Sequence, residues 1–165
     1  MQAPPNIDPR ELRQALGCFP TGVTVITTLG ADGSFVGLTV NSFNSLSLDP
    51  PLILWSLSTR SSSLRAFEAA EHFAVNILAD DQVAVSRRFS SPLPNKFHEV
   101  AVHAGLGGTP LIEGGAAPIE CRAFSSQAAG DHVLITGRVE RVRTSGRPPL
   151  VFVGGRYRST GTDLG

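Results

Sequence analysis

Cysteine is scarce in this chain. Cys18 and Cys121 are the only two in 165 residues, far apart, in no C-x-x-C pair and at no metal-ligand spacing. That excludes a disulfide framework and a thiol redox motif, and leaves two buried, reduced thiols as the expectation. The four histidines, at 72, 98, 103 and 132, are scattered and unaccompanied by cysteine, so no metal centre is expected. An excess of one charge is also missing: 14 basic residues balance 14 acidic ones. Nothing therefore points to nucleic acid or an anionic membrane as partner. No apolar run approaches the roughly 20 residues that cross a bilayer, and the first residues, Met1 to Asp8, hold no apolar core of a secretory signal. A soluble, cytoplasmic protein is expected. Walker loops, G-x-S-x-G elbows and H-E-x-x-H are absent, and the glycine-rich run Gly105 to Pro110 does not fit G-x-G-x-x-G. A chain so poor in catalytic groups either binds something or lets a cofactor carry the reaction.

What is present is a globular balance, with 41% hydrophobic and 17% charged residues. The length suits a single domain over residues 1–165, and the apolar surplus suggests a subunit interface. Asp8-Pro9-Arg10-Glu11 reads as a capped helix start, with Gly17 as its end. Residues 22–29 alternate as a β-branched strand with threonines on one face. A turn at Gly30 to Gly33 leads to a partner strand over 35–40, and another strand follows over 52–57. Short helices are expected over 61–70 and from a cap at Asp80 to Arg88, with a strand over 72–78 between them. Residues 90–117 read as a long loop with one short strand at best. Strands over 119–125, 132–143 and 150–153 complete a mainly β chain, expected to be an antiparallel barrel with a few short helices at its ends.

The most informative stretch runs from Gly37 to Ser58. A strand there presents amide and hydroxyl groups, breaks at Asp49-Pro50-Pro51, and is followed by a second strand and the triplet Ser61-Ser62-Ser63. Neutral hydrogen-bonding groups beside a helix start suit a large planar ligand carrying a phosphate. The triplet reads equally well as an N-cap with two solvated neighbours. Arg87 and Arg88 offer counter-charge, or form a surface pair at a helix end. Gly130-Asp131-His132 reads first as a turn.

Taken together, Asn41-Ser42-Phe43, Ser47 to Pro51, Phe73 to Leu78, Ser86-Arg87-Arg88-Phe89, Lys96-Phe97 and Gly130-Asp131-His132 stand in an order and spacing that resemble the short-chain flavin reductases. These are the reductase components of two-component flavin-dependent monooxygenases, and they share the FMN-binding split barrel. The resemblance implies a homodimer that reduces FMN or FAD with NADH or NADPH and passes reduced flavin to a separate monooxygenase. It implies that Thr39, Asn41, Ser42 and Ser45 line the isoalloxazine ring, with Ser56 and Ser58 on the adjoining strand. Ser62 and Ser63 would meet the phosphate, and Arg88, Phe89 and Lys96 would close over the ribityl–phosphate end or, with FAD, its adenylate. Asp131, His132 and Tyr157 would lie on the nicotinamide side, His132 being the one catalytic candidate. Two other readings stay open: a tightly flavinated oxidoreductase such as a ferric reductase, and a non-catalytic flavin store or sensor.

Overall fold

The structure, a computed structural model, describes residues 7–161. The first helix, α1 (Pro9–Gly17), starts as its sequence predicts. The Asp8 carboxylate accepts the Arg10 N–H at 2.8 Å and Pro9 fills the first helical position. α1 buries none of its residues, so the apolar stripe of Leu12 and Leu16 faces outward.

Twelve strands follow among the described residues. The first six are β1 (Thr21–Gly22), β2 (Thr24–Leu29), β3 (Phe35–Val40), β4 (Asn44–Leu48), β5 (Pro51–Ser58) and β6 (His72–Ile77). After them come β7 (Val102–Ala104), β8 (Pro110–Ile112), β9 (Ala117–Ala129), β10 (His132–Val142), β11 (Val151–Val153) and β12 (Arg156–Arg158). Helices α2 (Leu64–Ala69) and α3 (Val83–Ser90) flank β6 in the chain. Seven strands make one antiparallel sheet in the order β3-β2-β6-β9-β10-β5-β4, while β1-β11-β12 and β7-β8 form two small sheets. The mainly β, antiparallel class expected from sequence is present. The ladder does not close into a barrel, because β3 and β4, the two sheet edges, do not pair with one another.

β2 explains the arrangement of the core. It is buried on both faces, so one side packs Ile26 with Trp55, Phe67, Phe73 and Ile135. The other packs Val25 with Leu78, Phe89, Ile112 and Leu150. Trp55 is the centre of the first cluster, edge-on to Phe67 at 4.9 Å and to Phe73 at 5.9 Å. The expectation of threonines on one face of β2 is corrected: alternation puts Thr24 and Thr28 on one side and Thr27 on the other. Each buried hydroxyl donates to a backbone carbonyl, those of Val40, His72 and Pro110 respectively.

The long loop expected over 90–117 is corrected too. It contains β7, a 3-10 turn at Leu106–Gly108, and β8. Distant side chains hold it in place. Buried Asn76 accepts the Ile112 N–H at 2.8 Å and donates to the Val25 carbonyl and the Thr27 hydroxyl. Gln82 donates to the Glu113 carbonyl and accepts the Ala79 N–H. Gln82 is also the residue that precedes α3, so Asp80 is not its cap. α2 is shorter than the helix expected over 61–70, because the serine triplet lies in the turn before it.

Candidate functional site

Two cavities flank β3. The first, about 270 Å³, is lined by Thr39, Val40 and Asn41 from the end of the strand, Val23, Ser86 and Ser90, and the rings of Phe152 and Tyr157. The second, about 300 Å³, is lined by Phe35, Val36 and Gly37 from the start of the same strand, Ser62 and Ser63 before α2, and the segment Pro92–Phe97. A strand advances about 3.3 Å per residue, so the centres of the two stretches are about 13 Å apart. β3 thus joins a pocket with aromatic and amide walls to one lined by two serines and a lysine.

The separation depends on Gly37. A Cβ there would stand 2.8 Å from the Phe89 ring and 3.0 Å from that of Phe97. With glycine, Phe89 packs onto the strand, edge-on to Phe97 at 4.8 Å. That packing fixes Lys96. Its Nζ donates to the Phe89 carbonyl at 3.0 Å and approaches the Gly37 carbonyl at 3.5 Å. No carboxylate lies within 4.0 Å of it among the described residues. Burial pushes the Lys96 ammonium below the ordinary lysine pKa. A half-buried cation held only by carbonyls, beside two hydroxyls, fits an anionic group and in particular a phosphate.

The aromatic cavity is built with equal economy. Thr39 Oγ1 donates to the Ser86 carbonyl at 2.7 Å, and the Ser86 and Tyr157 hydroxyls share a hydrogen bond of 2.9 Å. Asn41 is exposed at its rim with no hydrogen bond inside the chain among the described residues. Its amide offers two donors and an acceptor, the complement of a flat heterocycle's edge. These walls fit a flavin ring, and the Lys96 cavity fits its phosphate.

The other expected residues fall in different places. Ser42 Oγ accepts the Ser56 N–H and donates to the Ser56 carbonyl, both at 3.0 Å, tying the β3–β4 connection to β5 in the manner of a backbone pair. Ser45 is exposed on β4, opposite Ile53. Ser58 accepts the Arg60 N–H at 3.3 Å and stands beside His132 in the β5–β10 ladder. Phe89 is fully buried, so its ring is part of the core and not a ligand contact. Arg88 lies 4.0 Å from Glu99. Arg87, expected as counter-charge near the serines, instead covers the Tyr157 ring at 5.8 Å from its centroid.

Asp131 and His132 pair at 2.7 Å on the tip of the β9–β10 hairpin, where Gly130 supplies a positive φ of 64°. The hydrogen bond to His132, and then its charge, hold the Asp131 carboxyl below the usual range. The Asp131 carbonyl accepts both the N–H and the hydroxyl of Thr59, which fastens the tip to the end of β5. Tyr157 lies apart from this pair, on the wall of the aromatic cavity. Sequence reasoning gave no site role of their own to Gly37, Ser86 or Phe152. Ser86 carried a signal, since a serine inside a helix between apolar residues needs a partner for its hydroxyl.

No group of three or more His, Cys, Asp or Glu side chains among the described residues could hold a metal ion. No described helix is long and apolar enough to cross a membrane. The two cavities suit a flat, phosphorylated ligand, and among the described residues they present no nucleophile paired with a general base.

Comparison with known proteins gives a consistent result. A family model described as flavin reductase like domain matches residues 16–161. The chain is 44% identical over 150 residues to the stachydrine N-demethylase reductase subunit Stc3 of Rhizobium meliloti (strain 1021), covering 91% of this chain and 65% of that protein. It is 44% identical over 148 residues to the FMN reductase (NADH) SmoA of Agrobacterium fabrum, covering 90% of this chain and 84% of that one. It therefore spans less than two thirds of the first of these relatives. Among solved structures, the Streptomyces globisporus NADH:FAD oxidoreductase SgcE6, in complex with NAD and FAD fragments, superposes with a TM-score of 0.90. The two are 34% identical, and the match covers 98% of this chain and 100% of that one.

Proposed function

The chain belongs to the flavin reductase like domain family, and from that premise we propose that it is an NAD(P)H-dependent reductase of FMN or FAD that supplies reduced flavin to a separate monooxygenase. The observation that carries this reading is β3, which links a ring-sized aromatic and amide cavity to the Lys96, Ser62 and Ser63 cavity. Asn41 and Thr39 border the ring position, and Ser62, Ser63 and Lys96 take the phosphate. Arg88, with Glu99 at 4.0 Å, stands at the outer margin of the phosphate end. Held there, a flavin would supply the acceptor for a nicotinamide's hydride, a two-electron transfer that would need alignment at roughly 3–3.5 Å more than acid–base groups. The protein's part is to hold the ring against β3, exclude water with Phe152 and Tyr157, and orient the donor. His132, fixed by Asp131, serves that last purpose.

The protein works as a homodimer in this reading, in the cytoplasm where pyridine nucleotides circulate. Supporting the dimer, α1 leaves Leu12 and Leu16 uncovered. Leu46, Leu48 and Phe124 are 51%, 94% and 57% exposed on the side of the sheet formed by β4, β5, β10 and β9. Sedimentation of the purified protein at twice the protomer mass is the expected result, and a monomer at micromolar concentration would refute the dimer.

The test of activity is NADH and NADPH oxidation by flavin-stripped protein, with and without FMN, FAD or riboflavin. Turnover that requires and saturates with free flavin is expected. Tight flavin binding without turnover would replace the reading by a store or sensor. In the same assay Lys96→Met should weaken FMN binding about tenfold and leave riboflavin, which has no phosphate, unchanged.

A further inference from the structure

Sharing Phe152 and Tyr157 with the ring cavity is an open cleft of about 700 Å³, walled also by Val83, Arg87, Arg156 and Arg158. Val83 and Arg87 are one turn apart on α3 and face it together, while Arg156 and Arg158 are two residues apart on β12 and share a side. The cleft gathers three guanidinium groups in a chain whose net charge is zero. None has a carboxylate within 4.0 Å among the described residues, although Arg10, Arg88, Arg122 and Arg147 all do. Phe152 and Tyr157, packed at 5.3 Å, wall both this cleft and the ring cavity, so the two adjoin.

Three arginines with no carboxylate partner among the described residues, beside two half-buried aromatic rings, suit phosphate and a flat base together. The flavin's own phosphate has its place at the opposite end of β3, with Lys96. A second cationic end therefore calls for a second phosphate-bearing ligand that must reach the same ring. We propose that Arg87, Arg156 and Arg158 form an anion subsite for the diphosphate of the nicotinamide dinucleotide, separate from the Lys96 site for flavin phosphate. This deepens the flavin reductase reading and rests on it. The dinucleotide lays its diphosphate along the arginines and carries its nicotinamide past Tyr157 onto the ring. The adenylate half of FAD offers the same chemistry, and the experiment separates the two.

The double variant Arg156→Ala/Arg158→Ala removes exposed side chains from a surface strand, and an unchanged melting temperature verifies its fold. Binding of NAD+, ADP-ribose, FMN and FAD to wild type and variant is measured by calorimetry or equilibrium dialysis. The expected result is a roughly tenfold rise in the dissociation constants of NAD+ and ADP-ribose, with FMN and FAD unchanged. For wild type the NAD+ constant should also climb with ionic strength, and for the variant it should climb less. A loss confined to FAD would assign the arginines to its adenylate and overturn the proposal, as would no change for any ligand. Failure of the reading underneath looks different: wild type would then reduce no flavin with NADH or NADPH and bind neither nucleotide.

Discussion

His132 and Asp131 meet on a solvent-facing hairpin tip, at 43% and 80% side-chain exposure. There the histidine has room to touch a mobile ligand, and the aspartate fixes its ring. His132→Ala should raise the KM for NAD(P)H several-fold with little change in that for flavin, in steady-state assays varying each substrate. An equal rise in both would mark a role in holding the β9–β10 turn. The two cysteines divide in the same way between exposed and enclosed chemistry. The expectation of two buried thiols is half right: Cys121 is buried, and Cys18 is exposed. Burial first, then the charges of Glu140 and Glu120, push the Cys121 thiol up to about 12. An alkylating reagent at pH 8 should therefore modify one cysteine in the native protein and two in denaturant, counted by mass. At this scale the sequence was informative where a residue acts through local chemistry, as Asp8 does in its cap. It was silent where a role depends on packing, as with Phe89, whose place against Gly37 is made by two elements nearly fifty residues apart.

The elements that could be read in advance are those whose signals are local. α1, the β2–β3 hairpin, β5, β6 and β10 have caps, turns or alternation that lie within a few residues. The end of β4 at Asp49-Pro50 was legible, but its separation from β3 at residues 41–43 and the pair β7–β8 were not, because nothing inside them explains their pairing. β4 is serine-rich and gains its ladder from β5, while β7–β8 is held by Asn76 and by Thr27, residues on other strands. The close packing of the neighbouring strands β6, β9 and β10 is equally non-local. Gly137 on β10 leaves space for the Phe73 ring and the Cys121 side chain, and any Cβ would intrude on both. Gly137→Ala should therefore destabilise the fold by about 1–3 kcal/mol despite alanine's smaller entropy cost, seen as a lower denaturant midpoint with an unchanged m-value. An unchanged midpoint would mean that the Phe73 ring can move aside at no cost.

For the molecule as a whole, fold class followed from patterning and the candidate site followed from the order of short motifs, while the geometry connecting them did not. The ring and phosphate residues come from β3, α3, the segment before α2, the segment 92–97 and the strands β11 and β12, and only the folded sheet brings these together. The same assembly of distant pieces gives the protein a built-in reporter. Lys96 is the one lysine in the sequence, and it sits at the phosphate cavity with its basicity lowered by burial. An amine-directed acylating reagent used sparingly thus has one side-chain target, besides the α-amino group, and that target stands at the candidate ligand's charged end. A docked phosphate would restore the ammonium's affinity for its proton and block the approach. FMN should slow acylation of Lys96 and riboflavin should not, as read from peptide masses, so that occupancy of the site could be followed without watching the flavin's colour at all.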